Sequence, residues 1–172
     1  VLVYRTPLLE DPVEVTGPIE AKLFASTSAR DTDWMVRLVD VRPDGYAALL
    51  TEGVKRARCR NPDDEGRFTS GRLSPIEPDK VYEYTIRFWK GTGNLFQKGH
   101  RIQVEISSSW FPFYAPNLNT GGDNVALARM AEAVVATQRI YHGGQYPSHL
   151  VLPVIPTRKP GASAFTTRAR AE

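Results

Sequence analysis

Few residues in this sequence have the type and spacing that chemistry requires. A serine nucleophile of the hydrolase kind needs small residues on both sides, because only a sharp strand-to-helix elbow exposes its hydroxyl. No serine here has glycine both two residues before and two after it. Ser163 follows Gly161 but precedes Phe165, and Ser107-Ser108-Ser109 runs into the bulky Trp110. Three histidines, His100, His142 and His149, would suffice in number for a catalytic metal, but none of their spacings is that of a ligand pair. His100 and His149 are expected to be hydrogen-bonded turn residues. Cys59 has no disulfide partner and reads as a small, partly buried side chain, although Arg58 and Arg60 beside it favour a thiolate. Asp31, Asp33, Asp40 and Asp44 are too scattered for a calcium loop. Asp40 lies in an apolar run, so its carboxylate needs a partner. Gly91-Thr92-Gly93-Asn94 is too short to cradle a phosphate and reads as a turn. These residues predict no catalytic centre, no metal and no cofactor.

The least ordinary feature is aromatic. Trp110, Phe111, Phe113 and Tyr114 fall within five positions, stiffened by Pro112 and Pro116, and Asn117-Leu118-Asn119-Thr120-Gly121-Gly122 follows. One reading has these rings capping the core. The other makes them a surface for a sugar or a partner domain, as exposed aromatic patches usually are. Four large rings in five residues cannot all point inward. Trp110, Phe111, Phe113, Tyr114, Asn117 and Asn119 are therefore the candidate interface or substrate-mouth residues.

The elements that must position this run are strands. The 172 residues are about one domain's worth, and 41% hydrophobic with 24% charged residues is ordinary globular composition. Gly and Pro, 13 each, are scattered and cut the chain into short pieces. Apolar and polar residues alternate through Ile19–Ala25, Tyr82–Trp89 and Arg101–Ser107. Trp34–Val41 is continuously apolar, as in a strand buried on both faces, and Pro43-Asp44-Gly45 turns it into a second strand at Tyr46–Leu50. Leu150–Pro156 carries two prolines and belongs at an edge or breaks at Pro153. Asp123 caps a helical turn at about 124–130, and a strand runs from about 133 to 142. Residues 61–80 read as a long surface loop and 157–172 as a solvated basic tail after a 1–156 domain. Eight or more strands without a βαβ rhythm predict an all-β jelly-roll sandwich of two antiparallel sheets.

The formal charge of +3 resides in the last sixteen residues, where Arg158, Lys159, Arg168 and Arg170 face only Glu172. The remainder balances to zero, and the basic stretch 55–72 is interrupted by Asp63, Asp64 and Glu65. That argues against nucleic acid as a partner. No apolar run reaches the ~20 residues of a membrane helix, so no membrane partner is expected either. The start, Val1-Leu2-Val3-Tyr4-Arg5, lacks a signal peptide's layout and an initiator Met, which suggests a processed chain or an excised piece. Cysteine usage leaves the compartment open, cytoplasmic or exported.

Several strings together resemble the C-terminal domain shared by X-Pro dipeptidyl peptidases and cocaine-esterase-type serine hydrolases. They are Asp31–Gly45, Gly53–Arg58, Lys98–Ser109, the aromatic run with Asn117-Leu118-Asn119-Thr120-Gly121, and Ile140-Tyr141-His142 followed by Pro147–Pro153. The match covers roughly 1–156 in the family's order. The resemblance implies a galactose-binding-like jelly roll attached to an α/β-hydrolase catalytic domain, in cis or as a separate chain. It also implies that the triad lies in that other part, so no catalytic residue transfers here. Relatives of this kind cleave X-Pro dipeptides, esters or acyl amides, and this domain helps to wall the active-site mouth. Where relatives carry charged residues before Asn-x-Asn-Thr, this chain has Ala115-Pro116. Two further readings stand beside it: a stand-alone carbohydrate-binding module using the same rings, and a homodimer.

Overall fold

The alternating segments form strands wherever one face meets the core. The structure, a computed structural model, describes residues 1–61, 73–122 and 127–156. Eleven strands are present among them: β1 (Leu2–Arg5), β2 (Val13–Gly17), β3 (Glu20–Thr27), β4 (Asp33–Val41), β5 (Ala47–Arg56), β6 (Tyr82–Arg87), β7 (Thr92–Phe96), β8 (Arg101–Ser107), β9 (Gln138–Tyr141), β10 (His149–Val151) and β11 (Val154–Ile155). All recorded pairings are antiparallel. The fold is the all-β jelly-roll sandwich expected from the sequence.

One layer is the sheet β1-β8-β4-β5. The second comprises two ladders, β10-β3-β6 with β9 also on β3, and β11-β2-β7. These ladders are built from the same three chain segments, since β2 leads into β3, β6 into β7 and β10 into β11. Each segment breaks at a residue unsuited to a continuous strand. Pro18 and Pro153 have no N–H to donate. At Gly91 a Cβ would stand 2.9 Å from the Gly17 carbonyl oxygen. Thr16 N–H to Pro153 O at 3.0 Å and Phe88 N–H to Ile19 O at 3.1 Å carry hydrogen bonding across the bend. The second layer is thus one folded ribbon.

Between the layers, Trp34, Val36 and Leu38 of β4 meet Ala21, Leu23 and Ala25 of β3 and Tyr84 and Ile86 of β6. The Trp34 and Tyr84 rings lie 5.8 Å apart. Burial pushes the Tyr84 hydroxyl up to about 12, tempered by the Trp34 indole N–H, although the two fall short of hydrogen-bond geometry. β4 is buried on both faces, as its unbroken apolar run requires. β10 and β11 sit at sheet edges on either side of Pro153.

Three expectations change. Gly91–Asn94 is not a turn: Thr92 opens β7, which pairs with β2. The strand expected over 133–142 is confined to Gln138–Tyr141, because Val134 is held by Leu118 instead of by a sheet neighbour. The helical turn is a 3-10 turn at Met130–Glu132, while its expected Asp123 cap falls outside the described residues. The 157–172 tail and most of the 61–80 loop lie outside them too.

β5 contributes little side-chain bulk to the core at Gly53, where a Cβ would meet Ile86 Cγ2 at 2.9 Å, Arg87 O at 3.0 Å and Phe88 Cδ1 at 3.1 Å. Gly53→Ala is expected to lower stability by about 1–3 kcal/mol through overpacking, read as a shift in urea midpoint.

Candidate functional site

The aromatic run is positioned by a polar cluster. Asp31 precedes β4, Asp33 begins it, Arg56 ends β5, and Arg58 lies in the 3-10 turn Ala57–Cys59. Arg56 donates from Nε to Asp33 Oδ1 at 2.9 Å and from Nη2 to Oδ2 at 3.3 Å. Arg58 donates from Nε to Asp31 Oδ2 at 3.1 Å and from its backbone N–H to Oδ1 at 3.3 Å. Asn117, from the segment after the aromatic run, completes the cluster. Its Nδ2 donates to Asp33 Oδ1 at 2.9 Å and Asp31 Oδ2 at 3.2 Å. Its Oδ1 accepts the Asn119 backbone N–H at 2.9 Å. Asn119 then donates from Nδ2 to Val134 O at 2.9 Å. Gly121 closes the loop with φ 69°, and a Cβ there would stand 2.5 Å from Arg30 Cβ. Only glycine fits that position.

Asp31 is fully buried. Burial raises its pKa above the ordinary 3.8, opposed first by the Asn117 hydrogen bond and then by Arg58. The Asp33 hydrogen bond holds Arg56 firmly protonated. Cations and amide N–H groups take up the carboxylate oxygens, so the cluster binds one part of the chain to another.

So anchored, the run folds over the outer side of the β4 sheet. The Arg37 guanidinium stacks 5.0 Å from the Trp110 ring and pairs with Glu105 at 3.1 Å. Trp110 packs against Phe113 at 5.1 Å and Tyr114 at 6.1 Å. The Tyr114 hydroxyl donates to Glu52 Oε1 at 3.4 Å, and its pKa is raised by burial and by that carboxylate. Phe111 and Phe113 remain outside, 71% and 75% exposed. Of the six residues singled out from the sequence, these two face solvent, Trp110, Tyr114 and Asn119 are half-buried, and Asn117 is buried. Arg56 and Arg58 were not singled out; their signal was two basic residues at the end of one strand of a hairpin whose other strand begins near two acids.

The remaining candidates are structural. His100 Nδ1 lies 2.8 Å from Asp40 Oδ1, which gives the carboxylate in the apolar strand its partner. His149 Nδ1 bonds the Pro147 carbonyl at 2.7 Å. Asp44 accepts the Tyr46 N–H at 2.9 Å in the hairpin turn. Burial pushes the Cys59 thiol up despite the neighbouring arginines, which makes it a poor nucleophile.

This pattern, a jelly roll presenting a pinned aromatic loop and no triad among the described residues, defines an accessory domain. Residues 1–151 match the X-Pro dipeptidyl-peptidase C-terminal non-catalytic domain, and the chain belongs to that family. It is 46% identical over 155 residues to the cocaine esterase of Rhodococcus sp. (strain MB1 Bresler), covering 90% of this chain and 25% of that protein. An aminopeptidase from a marine-sediment Thaumarchaeota archaeon superimposes with a TM-score of 0.81 at 36% identity, over 90% of this chain and 26% of that one. An α-amino acid ester hydrolase gives the same TM-score of 0.81 at 30% identity, over 90% and 25%. The chain therefore spans about a quarter of the length of these relatives.

Asn117→Ala is expected to cost about 1–3 kcal/mol and to speed amide exchange across 110–122 while the strands stay protected. Asp31 gives a pH test. Its pKa is higher folded than unfolded, so between the two values the folded state holds more protons. Compared with Asp31→Asn, the unsubstituted chain should gain stability as pH falls through the raised value and level off below 3.8. Denaturant melts across that range would measure this.

Proposed function

We propose that this chain is the non-hydrolytic domain of a serine hydrolase, packing on an α/β-hydrolase catalytic part and shaping its active-site mouth. The observation that carries this reading is the pinned loop. A buried ion-pair and amide cluster fixes its base, yet Phe111 and Phe113 at its tip are left in water. Such an arrangement costs solvation unless the tip meets a surface. The parent reaction is hydrolysis of X-Pro peptides, esters or acyl amides, in keeping with the esterase, aminopeptidase and amino-acid ester hydrolase names of the relatives. The domain's contribution is indirect: a rigid wall excludes water and fixes the lids that orient substrate.

The isolated chain should not turn over p-nitrophenyl esters or Ala-Pro-p-nitroanilide. Joined to the polypeptide that precedes it, the same chain should accompany esterase or peptidase turnover. Phe111→Ser with Phe113→Ser should then lower kcat/KM about tenfold, or about 1.4 kcal/mol. Turnover by the isolated chain that vanishes with one serine substitution would overturn the reading. Glycan-array binding lost in Trp110→Ala would replace it with a carbohydrate-binding module. A dimer of the isolated chain that becomes monomeric in Phe111→Ser would assign the rings to a second copy.

A further inference from the structure

Strand β1 is the outermost strand of its sheet, paired only with β8. An edge strand in a soluble domain is ordinarily short of apolar side chains or covered. Here all four residues of β1 are exposed, and three are Leu2, Val3 and Tyr4, at 47%, 47% and 38%. The opposite edge of the sheet, β5, is partly covered: Trp89 N–H bonds Glu52 O at 3.0 Å, and Thr51 Oγ1 donates to Lys90 O at 2.9 Å.

The two layers also fail to close on this side. A cleft of about 310 Å³ opens between β1 and the β9–β10 edge, lined by Tyr4, Leu23, Val36, Val104, Ile140 and Leu150. Leu23 and Val36 are core residues, so the cleft reaches the hydrophobic centre of the sandwich. At its mouth the Tyr4 and His142 rings meet edge to face at 5.7 Å. A second recess of about 340 Å³ is lined by Val1, Leu2, Ile106, Ser107, Gln138 and Ile140. Gln138 donates from Nε2 to Thr32 Oγ1 at 2.8 Å, while its buried Oε1 has no partner among the described residues. That oxygen is an acceptor calling for an N–H.

We infer that β1 and its two recesses are the seat of the catalytic part of the same hydrolase. That part presents an apolar side chain to the cleft and a backbone or amide N–H to Gln138 Oε1. The inference rests on the accessory-domain reading and adds a second surface to the aromatic loop. Three observations favour this occupant. The family is that of a C-terminal domain, so the catalytic part comes earlier in the polypeptide. Val1 lines the second recess, so preceding chain enters there. Ser107–Ser109 line the same recess and lead straight into Trp110, which makes the two surfaces continuous.

The test compares amide exchange and carbene footprinting of this chain alone and within the full-length hydrolase. Residues 2–5, 138–142 and 149–151 should exchange about tenfold more slowly in the full-length protein. The variant Val3→Lys with Tyr4→Lys should abolish that difference. Because both side chains are already exposed, its circular dichroism and melting as an isolated chain should stay unchanged. Leu95→Lys on β7, which lines neither recess, should leave the protection intact. Protection confined to 110–122 would overturn this inference and leave the accessory-domain reading standing. No protection in either region would overturn both.

Discussion

The buried cluster of Asp31, Asp33, Arg56, Arg58 and Asn117 is the constraint on which the functional surface depends. Taking these charges out of water costs about what their mutual attraction returns, so such a cluster adds little net stability. Its effect is positional. Each carboxylate oxygen has a designated donor, and one of those donors belongs to a loop that pairs with no strand. A loop displaced from this seat would leave Asp31 buried without its amide, a penalty of several kcal/mol. The aromatic tip therefore has one preferred location, set from within the sandwich.

The bent second layer plays the complementary part. Three chain segments cross the bend together, so both ladders keep the same neighbours while turning their inner faces toward one core. The bend lets β2 and β7 deliver Val15 and Phe96 to the same cluster as Leu23 and Tyr84. It also leaves β9 and β10 sharing one edge of β3, with the apolar cleft between that edge and β1. The closed parts of the molecule support the loop, and the unclosed side exposes the apolar edge.

Much of this was legible in the amino acids. Alternation placed β3, β6 and β8, the continuous apolar run identified β4 as buried on both faces, and the prolines put β10 and β11 at edges. Those signals are local, because side-chain period and missing N–H groups act within a few residues. β1 carries no alternation, since it is exposed on both faces. β7 begins in a Gly-Thr-Gly sequence that resembles a turn, and only its partner β2 makes it a strand. Asn117 looked like a surface residue because turn-forming asparagines usually are; its burial follows from two aspartates more than eighty positions away.

The hairpin register shows where the division lies. Counting outward from Pro43-Asp44-Gly45, Val41 faces Ala47, and an unbroken ladder would set Asp33 opposite Lys55. The register instead shifts between Leu38 and Val39, and Asp33 faces Arg56. Sequence alone determined that this chain makes an all-β sandwich with a stiff aromatic run and no elbow for a serine nucleophile, because composition and short-range spacing suffice for those. Only the tertiary structure decided which arginine meets which aspartate, which rings face water and which edge stays bare. A one-residue bulge and the meeting of distant segments control those outcomes, and neither leaves a periodic trace in the chain.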